Sequence, residues 1–216
     1  MSRIAFFDLD DSLCDRRGAF LRWARDFCVD NGLDPATAVP VIVEFDEHGT
    51  RPRQAFFQVV RDRFGLGAPV EQLVAGYSPV YTQQYRLDPA VGEGVLALRS
   101  AGWRVGVVTN GAHWQREKLR VTGLDKMVDG WAISELEGVA KPHPEIFRRA
   151  AAACGGSLDD AVWMVGDNPV ADIGGAVLSG LRSVWIDLGR AWEEPAFKPD
   201  VTCDGPLAAI DVIAAS

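Results

Sequence analysis

The sequence predicts an α/β fold, a Rossmann-like parallel sheet with helices on both faces, carrying a small all-helical cap domain. Three observations predict it. Five short apolar runs each end in polar or glycine-rich residues, as buried parallel strands do. Amphipathic stretches of helical length separate most of them. One long segment, residues 13–87, keeps a helical period and breaks the alternation.

In chain order, residues 3–8 (RIAFFD) read as the first strand. The helical segment follows, with helices over 18–31, 51–64 and 70 to about 85. Phe20, Trp23, Ala24, Phe27 and Cys28 recur at helical spacing, while Asn31-Gly32 and Gly65-Leu66-Gly67 punctuate the run. Asp88-Pro89 supplies an N-cap and a first-turn proline for the next helix, which buries Val91, Val95 and Leu98 and stops near Gly102. Residues 104–109 (RVGVVT), 130–133 (GWAI), 161–165 (AVWMV) and 182–186 (RSVWI) are the remaining strands. Helices over 114–122, 144–153 and 172–178 lie between them, and the C-terminal Ala/Ile segment is a closing helix. Asp159-Asp160 reads as a helix-to-strand turn. The division expected is a catalytic core from residues 1–12 and 88–216, with a cap from 13–87 set above the first strand's end.

Composition narrows the function classes. The chain has 216 residues, is 48% hydrophobic and carries a formal charge of −8. That charge repels polyanions and argues against a nucleic-acid polymer as partner, but not against a small phosphorylated metabolite met by a local cation. No apolar run approaches the ~20 residues of a membrane span, and MSRIAFFDLD does not read as a signal peptide. Cys14, Cys28, Cys154 and Cys203 lack metal-ligand or C-x-x-C spacing, so they read as reduced thiols of a cytoplasmic protein. Trp23, Trp103, Trp163 and Trp185 sit in apolar contexts that core packing explains.

The strand ends carry the chemistry. Asp8, Asp10 and Asp11 are crowded like charges, which repel unless a cation, partner or reaction uses them. Period-two spacing lets Asp8 and Asp10 face one site, the first as nucleophile and the second as proton donor and acceptor. Asp167 and Asp172 follow the fourth strand in GDNPVAD. Carboxylates gathered from two strand ends form an oxygen-only set that favours Mg²⁺. Thr109-Asn110-Gly111 offers a hydroxyl and backbone N–H groups to phosphate oxygens. Lys141, in VAKPHPEIF, supplies fixed positive charge for a developing phosphorane.

With these residues in place the sequence resembles the haloacid dehalogenase superfamily. The resemblance rests on four motifs in order: DLDDS at 8–12, VVTNG at 107–111, KPHPEIF from Lys141, and VGDNPVAD at 165–172. It implies a phosphohydrolase in which Asp8 forms an aspartyl-phosphate and Asp10 protonates the leaving oxygen, then activates water. Thr109 and Lys141 would bind the phosphoryl oxygens, with Asn110 and Gly111 assisting through the backbone. Mg²⁺ would be held by Asp8, the Asp10 carbonyl and Asp167, with Asp172 supporting the metal waters or Lys141. Ser12 stands where the family more often has Thr, keeping the hydroxyl. The helical segment resembles the family's cap. Near its hinges or loops Arg16, Arg17, Arg51 and Arg53 either read a second anionic group on the substrate or sit solvated; His48 and Gly49 belong to the same loop. His113 reads as a capping or surface residue, and His143 shapes the Lys141 loop.

Among alternatives, haloacid dehalogenation does without an acid/base Asp at position 10, and phosphonoacetaldehyde hydrolysis needs a cap lysine, of which 13–87 has none. A sugar-phosphate mutase shares the nucleophile and acid/base pair and stays open. From other classes, a receiver-like phospho-accepting domain would place its Asp after a later strand and lack the cap, and a non-enzymatic binding module would leave filled catalytic positions unused.

Overall fold

The computed structural model describes residues 3–159 and 161–216. Asp160, half of the turn expected at 159–160, lies outside the described residues. The elements are β1 (Arg3–Phe7), α1 (Arg16–Asp30), α2 (Pro35–Asp46), α3 (Arg53–Phe64), α4 (Val70–Thr82), α5 (Pro89–Ser100), β2 (Trp103–Thr109), α6 (Trp114–Thr122), α7 (Leu124–Met127), β3 (Gly130–Ile133), α8 (Ser134–Glu137), α9 (Pro144–Ala153), β4 (Ala161–Gly166), α10 (Gly175–Leu178), β5 (Arg182–Ile186), β6 (Val201–Cys203) and α11 (Pro206–Ala214). Two compact units result, Met1–Asp15 with Leu87–Ser216, and Arg16–Arg86.

In the first unit six parallel strands run in the order β3-β2-β1-β4-β5-β6. The earliest strand is therefore central, and chain order reverses beside it. Open parallel sheets bind ligands in the crevice at such a reversal, off the strands' carboxyl ends. Phe7 pairs with Val107 on one side and Val165 on the other, so the residues just beyond all three strands converge. Ile4, Ala5, Phe6 and Phe7 are fully buried, which explains the unbroken apolar run. On α9, Ile146, Phe147, Ala150 and Ala151 recur at helical spacing and join Ile4, Phe6 and Met164 in one core.

The second unit packs four helices around aromatic side chains. Trp23 meets Tyr77 edge-on at 4.8 Å and Phe20 lies 5.2 Å away, the offset geometry that ring quadrupoles favour. Asp46, nearly fully buried, is neutralised by Arg16 at 3.3 Å and Arg53 at 2.7 Å.

Several local expectations change. The first strand ends at Phe7, one residue early. α2 is an element with no expected counterpart: Asp34 caps it by accepting from the Ala36 N–H, with Pro35 in the first turn. The α4 helix ends at Thr82, short of residue 85, and α3 starts at Arg53 after Pro52. The helix expected over 172–178 begins instead as a π-helical turn, Pro169–Gly174, because Asn168 Oδ1 accepts from the Val170 and Ala171 N–H groups. β6 adds a sixth strand. Among the described residues no helix is long and apolar enough to cross a membrane.

Candidate active site

Asp8 sits at the point of reversal, immediately beyond β1. Its N–H donates to the Val165 carbonyl at 2.8 Å, fixing the backbone to β4. Its carboxylate accepts from Lys141 Nζ at 2.6 Å, and the same ammonium lies 2.6 Å from Asp172 Oδ1. Lys141 arrives from a loop more than a hundred residues away, and the Asn110 side chain secures it. Asn110 Nδ2 donates to the Lys141 carbonyl at 2.9 Å, and the Lys141 N–H donates to Asn110 Oδ1 at 2.8 Å.

Asp172 is fully buried, and its Oδ2 accepts from the Asn168 N–H at 2.9 Å. A Cβ on Gly166 would stand 2.2 Å from that oxygen, so only glycine leaves room for this carboxylate. Asp167 is anchored through its carbonyl by Trp185 Nε1 at 2.9 Å and Arg190 Nη2 at 2.7 Å, and Arg190 also reaches Asp167 Oδ2 at 3.1 Å.

Oxygens of Asp8, Asp167 and Asp172 all lie within 4.8 Å of one another. Burial, then the charge of Asp172, raises the Asp8 carboxyl from 3.8 to about 7, against the opposing pull of Lys141. Burial and Asp172 likewise raise Asp167 to about 7, opposed by Arg190. Burial opposes the charge on Lys141, yet Asp172 and Asp8 together hold it protonated, above the usual lysine range. Three clustered carboxylates with an incomplete cationic complement fit a divalent cation, and a donor set made only of oxygen fits Mg²⁺.

A pH dependence follows from the sign of these shifts. A carboxyl whose folded value is raised contributes stability that is complete below its unfolded value, 3.8, and lost as pH climbs toward about 7. Metal-free protein therefore weakens across that window, and a cation must displace protons at its lower end. Saturating Mg²⁺ is expected to raise Tm more at about pH 7.5 than at about pH 5. Equal shifts at both would contradict the assignment of these carboxylates to a cation.

Other expected residues fall in distinct places. Thr109 is buried at the end of β2, where its Oγ1 accepts from Gln115 Nε2 at 2.8 Å. The Gly111 N–H donates to Ser134 Oγ at 2.9 Å, and Asn110 serves the Lys141 loop with its side chain, a use that the expected backbone role did not include. Asp10 does not share a strand face with Asp8, because both lie beyond the end of β1. Asp11 adopts φ +58°, and the Cys14 N–H returns to the Leu9 carbonyl at 2.9 Å, so this stretch is a turn. The Asp10 carboxylate accepts from Lys118 Nζ and Gln115 Nε2, and its charge also acts on Asp8.

Arg51 and Arg53 belong to the helical unit, paired with Glu47 and Asp46 respectively. His113 is exposed against Glu135, and His143 Nδ1 accepts from the Glu145 N–H at 3.1 Å, capping α9. The four cysteines are free and buried; burial, with the charge of Asp10, pushes the Cys14 thiol up to about 12, which keeps it protonated. Sequence reasoning missed Gln115, Lys118, Trp185 as an anchor, and Arg190. For the first two a signal existed: polar residues three apart on the same helix face as Leu119.

A family model described as haloacid dehalogenase-like hydrolase matches residues 3–180. The chain is 32% identical over 203 residues to glyceraldehyde 3-phosphate phosphatase of Pyrococcus abyssi, covering 88% of this chain and 83% of that protein. It is 39% identical over 120 residues to phosphoserine phosphatase of Thermus thermophilus, 55% of this chain and 48% of that one. Among solved structures, that of YfnB from Bacillus subtilis, described as a HAD-hydrolase, aligns with a TM-score of 0.79 at 22% identity over 98% of both chains.

Proposed function

This chain belongs to the haloacid dehalogenase-like hydrolases, and from that premise we propose a Mg²⁺-dependent phosphatase that hydrolyses a small phosphate monoester through an aspartyl-phosphate on Asp8. The observation that carries the reading is the buried Asp8 carboxylate bonded to Lys141 at the sheet's reversal point, with a second carboxylate, Asp10, held separately two residues on.

In the first half-reaction an Asp8 oxygen bonds to phosphorus and the bond from phosphorus to the ester oxygen breaks. The departing oxygen takes its proton from Asp10. In the second, water attacks the same phosphorus, gives a proton to Asp10, and the bond to Asp8 breaks to release inorganic phosphate. Asp10 gives up one proton in the first step and regains one in the second, so the cycle closes on ester and water in, alcohol and phosphate out. Lys141 and the Thr109 hydroxyl bind the phosphoryl oxygens, and Asp172 orients Lys141. Asp8, Asp167 and the Asp10 carbonyl would hold Mg²⁺, which when bound neutralises phosphoryl charge so that an anionic nucleophile can approach.

Relatives named for glyceraldehyde 3-phosphate and phosphoserine support a small phosphorylated metabolite as substrate. In the helical unit, Arg16 and Arg53 both pair with Asp46, at 3.3 and 2.7 Å. Four free thiols suit a reducing compartment, and we place the protein in the cytoplasm.

The test is phosphate release from 4-nitrophenyl phosphate by protein stripped with chelator. Release is expected only after Mg²⁺ is restored. Undiminished release without a divalent cation, or none with it, would overturn the reading.

A further inference from the structure

Asp10 has a structural problem that Asp8 does not. It stands on the turn after β1, where Cys14 is its bridge partner, outside the strand ladder that ends at Phe7. A proton-transfer group must nonetheless be held within a fraction of an ångström of one orientation.

Two residues of α6 face it. Lys118 Nζ donates to both Asp10 oxygens, at 2.9 and 2.7 Å, and its side chain is only 4% exposed. Gln115 Nε2 donates to Asp10 Oδ2 at 3.0 Å and to Thr109 Oγ1 at 2.8 Å. Placing Gln and Lys on the inward face of a helix is costly unless their polar atoms are matched, and on α6 the buried residues are Gln115, Lys118 and Leu119. The amide keeps this orientation although its own oxygen is buried with no hydrogen-bond partner among the described residues, an uncompensated cost. Gly111 makes room for it: a Cβ there would lie 2.8 Å from Gln115 Cγ. Because Thr109 Oγ1 accepts from Gln115, its own proton is directed elsewhere and is available to a phosphoryl oxygen.

We propose that Lys118 and Gln115 are positioning residues that aim the Asp10 carboxyl group at the leaving oxygen, with Gln115 coupling that aim to the phosphate-binding Thr109. Lys118 grips both carboxylate oxygens and fixes the plane of the group. Gln115 ties that plane to the end of β2. The inference rests on the phosphatase reading and extends it to residues that touch neither phosphate nor cation.

The test reads leaving-group dependence. Esters of poor leaving groups need a proton from Asp10, whereas 4-nitrophenolate departs with little help, so misaiming Asp10 penalises the two unequally. Values of kcat/KM are measured across substituted phenyl phosphates from 4-nitrophenyl to phenyl, for wild type and for Lys118→Met and Lys118→Arg. Lys118→Met is expected to lose about tenfold on the 4-nitrophenyl ester and about a hundredfold on the phenyl ester. Lys118→Arg, which keeps a cation there, is expected to recover most of the difference. A uniform loss across the series, or none, would overturn the proposal, because a purely structural lysine moves all esters together. Should Lys118→Met not fold, Gln115→Leu is read by the same ratio. Asp8-dependent turnover in wild type tests the phosphatase reading separately, so a flat ratio with that turnover intact rejects the positioning role alone.

Discussion

Asp8→Asn is expected to release no measurable phosphate from 4-nitrophenyl phosphate, a loss of about 10⁴-fold or more, as when other covalent nucleophiles are removed. The amide has the shape of the carboxylate but not its nucleophilic oxygen. The fold is expected to survive. Asp8 is buried beside Asp172 and is already driven toward its neutral form, so a neutral isostere removes repulsion as well as one bond partner of Lys141. Metal-free Asp8→Asn should therefore melt within a few degrees of wild type and show the same far-ultraviolet dichroism. Retained turnover in such a folded variant would move the nucleophile elsewhere.

Lys141→Met has the second-largest expected effect, and it is double. Losing the fixed cation should lower kcat/KM by about 10²- to 10³-fold, the usual cost of a preorganised donor to developing charge. Stability should fall too, because Asp8 and Asp172 then face each other buried with no ammonium between them. Removing one partner of a buried ion pair costs about 3–5 kcal/mol. Adding Asp172→Asn should return part of that stability and none of the activity. Denaturant melts together with kcat/KM for the single and double variants separate the two effects. Near-normal kinetics in Lys141→Met would place the phosphate site away from Lys141.

The sheet was legible because its strands are buried on both faces and write themselves as unbroken apolar runs, as in RIAFF and RVGVVT. GWAI and RSVWI match their expected bounds at both ends, and β2 ends at Thr109 as expected. β6 escaped because Val201-Thr202-Cys203 is three residues long with one exposed, too short for a period to register. α2 had a signal in Asp34-Pro35, overshadowed by an interior proline at Pro40 that argues against a helix. That Asp8, Asp167, Asp172 and Lys141 come together was legible, since carboxylates and a lysine at strand ends have few inert uses. It was not legible at the level of which atoms meet. That Asn110 locks the Lys141 loop, or that Lys118 holds Asp10, depends on contacts between residues 31 and 108 positions apart, which no local pattern encodes. The period-two argument for Asp8 and Asp10 failed for a local reason: it holds inside a strand, and both residues lie past its end.

A transient covalent bond to one side chain is what most separates this chemistry from direct attack of water on the ester. Acid quenching within milliseconds of mixing the Mg²⁺-loaded protein with a ³²P-labelled aryl phosphate captures it, and tryptic mapping locates it. Label is expected on the peptide IAFFDLDDSLCDR, at Asp8, lost on treatment with hydroxylamine as an acyl phosphate is, and absent from Asp8→Asn. Full turnover with no labelled protein at any quench time, or label on a different peptide, would contradict it.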